Sequence, residues 1–272
     1  MLKRCQTDDD IREIMEYIGP EKKRVPYIYL NATKYGKGTE NIFTWIDVDS
    51  TEQIRAIYLL YFNCLHFFTK DDNTYPVQDV LEIINRFSPK VIMTLHEFGE
   101  RLTPYLGSEY SVYHNHIMDM DGVGNEGGQY EGRMASESDI EQIIQLLMEN
   151  EEYNTVYDEE DLRKQLFDRL HEGFSRYFAI YRDGRVVASC STYGETPDFA
   201  IVGGVIVHPE YRRKGFASRI DQFACNTLHR ENISTVSFVS ISNTASFAMH
   251  LGIGSKDIGI MDKFVRVPSK ND

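Results

Sequence analysis

Residues 201–220, IVGGVIVHPEYRRKGFASRI, narrow the range of folds more than any other stretch of the chain. The apolar, β-branched run Ile201 to Val207 reads as a buried strand, Pro209 opens a turn, and a glycine-containing basic segment enters a helix that runs to about Arg230. Gly203 and Gly204 inside the strand mark a bulge or a close backbone approach. The first turn of a helix leaves N–H groups without intrahelical partners, and the helix dipole adds about half a positive charge there. An anion such as a pyrophosphate can rest on that end. Gly215 admits a turn conformation that other residues resist, and Ala217 keeps the next position small. Arg212, Arg213 and Lys214 add full charges beside the partial ones. The stretch therefore predicts a strand, turn and helix arranged as an anion cradle, with Val205, Ile206 and Val207 on the strand and Arg212 to Ala217, Phe216 included, around the anion.

Arg212, Gly215 and Ala217 satisfy the pattern Gln/Arg-x-x-Gly-x-Gly/Ala. With the strand before them they resemble the acyl-CoA-binding signature of the GNAT N-acetyltransferase superfamily. The order of elements over residues 132 to 267 is similar to that family as well, and the first half is similar more loosely. The resemblance implies an α/β (α+β) fold: tandem GNAT-like domains, each a mixed, largely antiparallel twisted sheet flanked by helices. It implies acetyl-CoA (coenzyme A) as cosubstrate, no metal, and transfer of the acetyl group to a primary amine of a small molecule or peptide. The family does this by direct attack in a ternary complex, so no cysteine need be a nucleophile. A main-chain N–H at about Ile206 or Val207 would polarise the thioester carbonyl, and the backbone of Arg212 to Ala217 would hold the pyrophosphate. Asn243 and Ser246 match the family's last helix, where they would bear on the pantetheine arm.

The chain has 272 residues, enough for one large or two ordinary domains, and at 42% hydrophobic it can bury a sizeable core. A net charge of −13 argues against a nucleic-acid surface, which needs clustered Lys and Arg. Negative potential suits a cationic substrate such as an amine. No apolar run approaches the roughly 20 residues of a membrane span, and the first residues lack the apolar region of a signal peptide. The expectation is a soluble, cytoplasmic protein, monomer or homodimer, without a membrane or nucleic-acid partner. Cys5, Cys64, Cys190 and Cys225 lie far apart without a Cys-x-x-Cys pair, so they read as reduced packing residues.

The beginning of the chain is echoed later. Arg133 to Leu147 aligns with Arg4 onward at a shift of 129 residues, pairing Asp10 with Asp139 and Ile14 with Ile143. Thr7 and Ser136 are the expected N-caps. Residues 1–121 thus read as a degenerate GNAT-like domain, 122–132 as a glycine-rich linker and 133–272 as the acetyltransferase domain. In the first half, Val25 to Leu30 and Ile54 to Thr69 read as strands. After Thr69 the sequence KDDNTYPVQD is acidic where a cradle would be basic and glycine-bearing.

Two residues are candidates for proton transfer. Glu195, at the turn before the cradle strand, is the carboxylate for a general base, or else part of a solvated hairpin. His250 stands where the family places a tyrosine acid; it serves as the acid or closes the helix through the C-terminal dipole. His114 and His116 share one face of a strand, but Asp119 and Asp121 fall on the opposite parity, so an ordinary strand is expected there rather than a metal site. Tyr153, Tyr157 and Phe174 either hold a cationic substrate or belong to the core. Besides the enzyme, two other classes fit: a catalytically inactive acyl-CoA-binding regulatory module, suggested by the absent tyrosine, and a nucleotide-binding protein, which lacks the lysine-hydroxyl pair after Gly215.

Overall fold

The computed structural model describes residues 1–124, 130–150, 154 and 158–267. In chain order the first half runs β1 (Leu2–Arg4), α1 (Asp8–Ile18), a 3-10 turn (Gly19–Lys23), α2 (Pro26–Tyr35), β2 (Ile42–Val48), β3 (Ile54–Tyr61), β4 (Cys64–Thr69), α3 (Val77–Phe87), β5 (Val91–Leu95), α4 (His96–Leu106) and β6 (Tyr110–Asp119). The second half runs β7 (Arg133–Met134), α5 (Ile140–Met148), α6 (Glu159–His171), β8 (Tyr177–Arg182), β9 (Arg185–Thr196), β10 (Phe199–Val207), α7 (Phe216–Arg230), β11 (Ser234–Ser240), α8 (Thr244–Gly252) and β12 (Lys256–Arg266). Among the described residues no helix is long and apolar enough to cross a membrane. Part of the glycine-rich connector, residues 125–129 with Gly127 and Gly128, lies outside the described residues, as do Tyr153 and Tyr157.

The chain divides into two compact units, and the division does not follow the sequence order expected. The first unit takes Met1–Ile117, Val239–Asn243 and the chain from Ile258; the second takes Met118–Phe238 and Thr244–Asp257. The last strand belongs with the first unit because β12 pairs antiparallel with β5, Met261 opposite Leu95 and Val265 opposite Val91.

In the first unit the strands lie in the order β1-β2-β3-β4-β5-β12-β6, with a parallel step between β4 and β5. Two stretches fold differently from their sequence reading. Val25 to Leu30 opens a helix, not a strand: Pro26 sits at its first position, where a missing N–H costs nothing and the fixed φ suits the helix. Ile54 to Thr69 is not one strand but a hairpin, closed by the Tyr61–Cys64 pair around a two-residue turn in which Phe62 has φ 51°. The core is aromatic: Tyr58, Phe67, Tyr75 and Phe98 are each at most 3% exposed and pack with Val80, Leu102 and Phe264. Its polar atoms are paired, Tyr58 Oη lying 2.8 Å from Tyr75 Oη, which donates to Asp47 at 2.8 Å.

The second unit orders its strands β11-β10-β9-β8-β7. β8 and β9 join through Asp183 and Gly184, whose φ values of 50° and 79° are those of the hairpin turn their sequence predicts. Helices α5 and α6 bury Ile140, Ile143, Ile144, Leu162 and Leu166 against the sheet.

The 129-residue echo has a structural counterpart. Thr7 caps α1 by accepting from the Asp10 N–H at 3.1 Å, while Asp10 accepts from the Thr7 N–H and is paired with Lys3 at 2.7 Å. Ser136 and Asp139 repeat the same box ahead of α5, with Arg133 3.0 Å from Asp139. Burial alone would raise the Asp139 pKa, but hydrogen bonds from Ser136 and the contact with Arg133 more than offset it and hold it at about 2. A carboxyl whose folded pKa is depressed stabilises the fold above its unfolded value near 3.8, and that stabilisation is lost as pH falls toward 2. Denaturant melts between pH 5 and 2 are therefore expected to show about 2 kcal/mol of acid destabilisation in the native chain that Asp139→Asn lacks. Equal acid sensitivity of the two proteins would contradict this.

Candidate functional site

The site grows out of one strand. β10 runs parallel to β11 only at Phe199, Ala200 and Ile201, opposite Ser234, Thr235 and Val236. Beyond Ile201 it continues to Val207 paired with β9 alone. Its register against β9 slips between Gly203 and Ile206, and Gly204 has φ 64°, so the bulge that the glycine pair predicts is present. The bulge turns the Val205–Val207 edge away from the neighbouring strand and leaves that edge open.

The turn after the strand delivers α7. Gly215, at φ 78°, is its N-cap, and no side chain caps the end. The first intrahelical bond runs from the Arg219 N–H to the Gly215 carbonyl at 3.1 Å, so the N–H groups of the first turn point outward. They open onto a cleft of about 440 Å³, within the range of small-molecule sites. Val205, Ile206, Val207, Arg212, Arg213, Gly215, Phe216 and Ala217 line it, eight of the residues singled out from the sequence. Tyr211, Ser218, Asn150 and Met249 line it as well. Tyr211 and Ser218 fall within the signature stretch; nothing in the sequence marks Asn150.

The cationic side chains do not all face the cleft. Arg212 Nε donates to the Val207 carbonyl at 3.1 Å, and Lys214 Nζ to the Glu210 carbonyl at 2.9 Å, so both brace the loop. Lys214 is not among the described cleft residues. Arg213 is exposed, with φ 61°, at the lip of the cradle.

His250 is turned away from this cleft. It is 3% exposed, its Nδ1 donates to the Ser246 carbonyl at 2.8 Å, and its Nε2 lies 3.3 Å from Asp221 Oδ2. Asp221, fully buried on α7, also has the Cys190 thiol 3.9 Å from Oδ1. Burial raises the Asp221 pKa, and His250 opposes the rise. The expected acid is thus a clamp between α7 and α8, and its chain neighbour Met249 takes the cleft wall. Helical phase decides this, since adjacent residues lie about 100° apart. Ser246 contacts His250 at 3.3 Å, and the Asn243 N–H donates to the Ser240 carbonyl at 2.9 Å, closing the turn before α8; neither is among the described lining residues.

Glu195 is likewise engaged elsewhere. Arg176 holds it at 2.8 and 3.0 Å, and the same guanidinium reaches Glu231 at 2.8 Å. Glu195 pairs in register with Ala200, five positions before Val205, which places it roughly 15 Å along the strand from the cleft. Phe174 is 4% exposed and belongs to the core. Cys190 and Cys225 are buried, and burial pushes both thiols well above their usual range, so neither offers a thiolate.

The first unit has the same splay without the space. β4 and β5 pair parallel from Cys64 to His66 and then part. The gap is filled by Val25, Tyr27, Ile28, Phe67, Met93 and Met261 around His66, leaving about 10 Å³, room for a single water at most. Burial holds the His66 pKa down at about 3, so the ring is neutral. The loop ahead of α3 presents carbonyls, not N–H groups: those of Asp72 and Tyr75 accept from Arg101.

Residues 140–254 match the model described as the acetyltransferase (GNAT) family. No curated protein matches the chain in sequence. Among solved structures the chain is similar to a GCN5-related N-acetyltransferase from Sphaerobacter thermophilus, with a TM-score of 0.64 at 12% identity over 99% of this chain and 96% of that one. An acetyltransferase from the GNAT family of Colwellia psychrerythraea gives 0.58 at 10% identity over 98% and 100%. A tandem GNAT protein from the clavulanic acid biosynthesis pathway gives 0.56 at 12% identity over 99% and 100%. At these identities the likeness is one of fold, and the fold is the tandem one expected.

Two substitutions separate architecture from chemistry. Removing one partner of the buried Asp221–His250 pair is expected to cost about 3–5 kcal/mol, so His250→Ala should lower the urea midpoint markedly. Glu195→Gln is expected to leave acetyl transfer within about twofold of the native rate, a loss too small for a general base, whose contribution is about 10²–10⁴-fold. A hundredfold loss at unchanged stability would return Glu195 to the reaction.

Proposed function

With residues 140–254 forming a domain of the acetyltransferase (GNAT) family, we propose that this chain is an acetyl-CoA-dependent N-acetyltransferase. The second unit binds the cofactor, and its acceptor is the primary amine of a small molecule or peptide. The observation that carries the reading is the uncapped first turn of α7, opening with Gly215 at φ 78° onto the cleft beside the open edge of β10. The pyrophosphate of coenzyme A suits those N–H groups, with Arg213 adding a full charge. The pantetheine arm is an extended amide chain, and the edge of β10 beyond Ile201, held by β9 on one side and without a β11 partner on the other, is the complement of such a chain. In that placement the thioester carbonyl meets a main-chain N–H at Val205 to Val207, a donor held in place before charge develops.

The chemistry asks little else of the protein. The neutral amine attacks the thioester carbon, the oxyanion is stabilised by the strand N–H, and the tetrahedral centre expels the coenzyme A thiolate, while the proton lost from the attacking nitrogen passes to solvent water or to that thiolate. A thiol has a pKa near 8.5, so the leaving group departs as an anion without obligatory protonation. The burial of His250 therefore does not forbid turnover. It does favour a second reading, a module that binds acyl-CoA without transferring the acyl group.

A thermal-shift titration with acetyl-CoA, read beside thiol release against a panel of amines, distinguishes the two. Stabilisation with release establishes the transferase; stabilisation without release across amino acids, polyamines and peptides establishes the binding module. Gly215→Glu places bulk and negative charge at the anion. A Cβ there meets nothing within 4 Å, so the variant is expected to fold, to lose about 1–2 kcal/mol to its positive φ, and to lose acetyl-CoA binding by at least about tenfold. Native affinity in the folded variant would overturn the cradle assignment.

A further inference from the structure

A second constellation of reactive side chains lies wholly in the first unit, and none of its residues lines the cleft. Strands β5, β12 and β6 are neighbours, and they carry Thr94, Asp262 and His114. Asp262 stands directly opposite Thr94 in register, and His96 begins α4 two residues later. Asp262 is 1% exposed. Its Oδ1 lies 3.0 Å from His96 Nδ1 and 2.6 Å from His114 Nδ1, and the two rings meet edge to face with centroids 5.3 Å apart. One ligand atom from each of the three residues lies within 4.8 Å of the other two.

The surroundings are shaped to this carboxylate. Helix α4 passes over it at Gly99, where an added Cβ would collide with the Asp262 side chain, so a larger residue would lift the helix away. Thr94 Oγ1, buried in the same row, has no hydrogen-bond partner among the described residues. The two histidine side chains are 32% and 31% exposed, which leaves a way in for a small solute.

Two imidazole nitrogens and one carboxylate oxygen are a donor set that suits divalent ions of the zinc class. Ligand atoms about 2.0–2.2 Å from one tetrahedral ion stand about 3.3 Å apart; Asp262 Oδ1 lies 3.0 and 2.6 Å from the two Nδ1 atoms, so a small outward turn of the rings admits the ion. Three protein ligands leave a position for water or another small donor. A divalent ion would neutralise a buried carboxylate that otherwise has, among the described residues, only hydrogen bonds to the two imidazoles. We propose that His96, His114 and Asp262 bind a divalent transition-metal ion of the zinc class, tying α4 and β6 to the returning strand β12. The site departs from the metal-free expectation of the sequence, and it stands or falls independently of the acetyl-CoA reading.

The test uses the full chain, stripped with a chelator and dialysed. Titration with Zn²⁺ is expected to bind one equivalent and raise Tm, and Co²⁺ to give the visible absorption of a tetrahedral site. Because Asp262 is buried and its substitution risks the fold, the variants are His96→Ala and His114→Gln. Each removes a direct ligand and is expected to weaken Zn²⁺ binding by at least the about 10–100-fold known for the loss of an outer-shell partner, with acetyl-CoA affinity unchanged. Absence of Zn²⁺ uptake by the folded, stripped chain overturns the proposal, as does uptake of equal affinity in both variants, which would place the ion elsewhere.

Discussion

The parting of β10 from β11 after Ile201 is the constraint on which the second unit's cleft depends. A strand held on both sides has no backbone to offer a ligand, whereas β10, bulged at Gly204 and held by β9 alone, has one open edge. The same departure aims the chain through the Pro209 turn so that α7 starts beside that edge. Open strand N–H groups and open helix N–H groups then face one cleft. Asp221, His250 and Cys190 fix the other side of α7 in the interior, so the helix whose first turn opens onto the cleft is anchored by a buried pair rather than by its exposed surface.

The two halves begin alike and end differently. Both open with a short strand, a Thr or Ser cap and an aspartate closing a capping box, and both contain a parallel pair of strands that separates. In the first unit large side chains occupy the separation, with Tyr27 from α2 and Met261 from the returning β12 among them. Arg101 draws carbonyl oxygens toward the loop where an anion would need N–H groups. A shared topology therefore supplies the opening, and side-chain volume together with the direction of a few peptide groups decides whether anything can enter it.

Much of this was legible in the sequence because it is local. The cradle, the Asp183-Gly184 turn and both caps depend on residues within a few positions of one another. The failures were local ambiguities too. VPYIYL alternates like a strand, yet Pro26 begins a helix there, and the apolar run from Ile54 to Thr69 concealed a hairpin turn at Phe62. His250 was legible as unusual, but its direction depended on the phase of α8 against α7.

Local sequence specifies the glycine turn that opens α7, the fold class and the duplicated openings, since backbone propensity, capping and periodicity act over a single turn or strand. Which side chains meet is set by long-range packing. Asp262 comes to His114 from 148 residues away because the last strand returns to pair with β5, and Asp221 comes to His250 because α7 and α8 pack together. Such meetings are set by the path of the chain and the packing of its core, which no window of neighbouring residues contains.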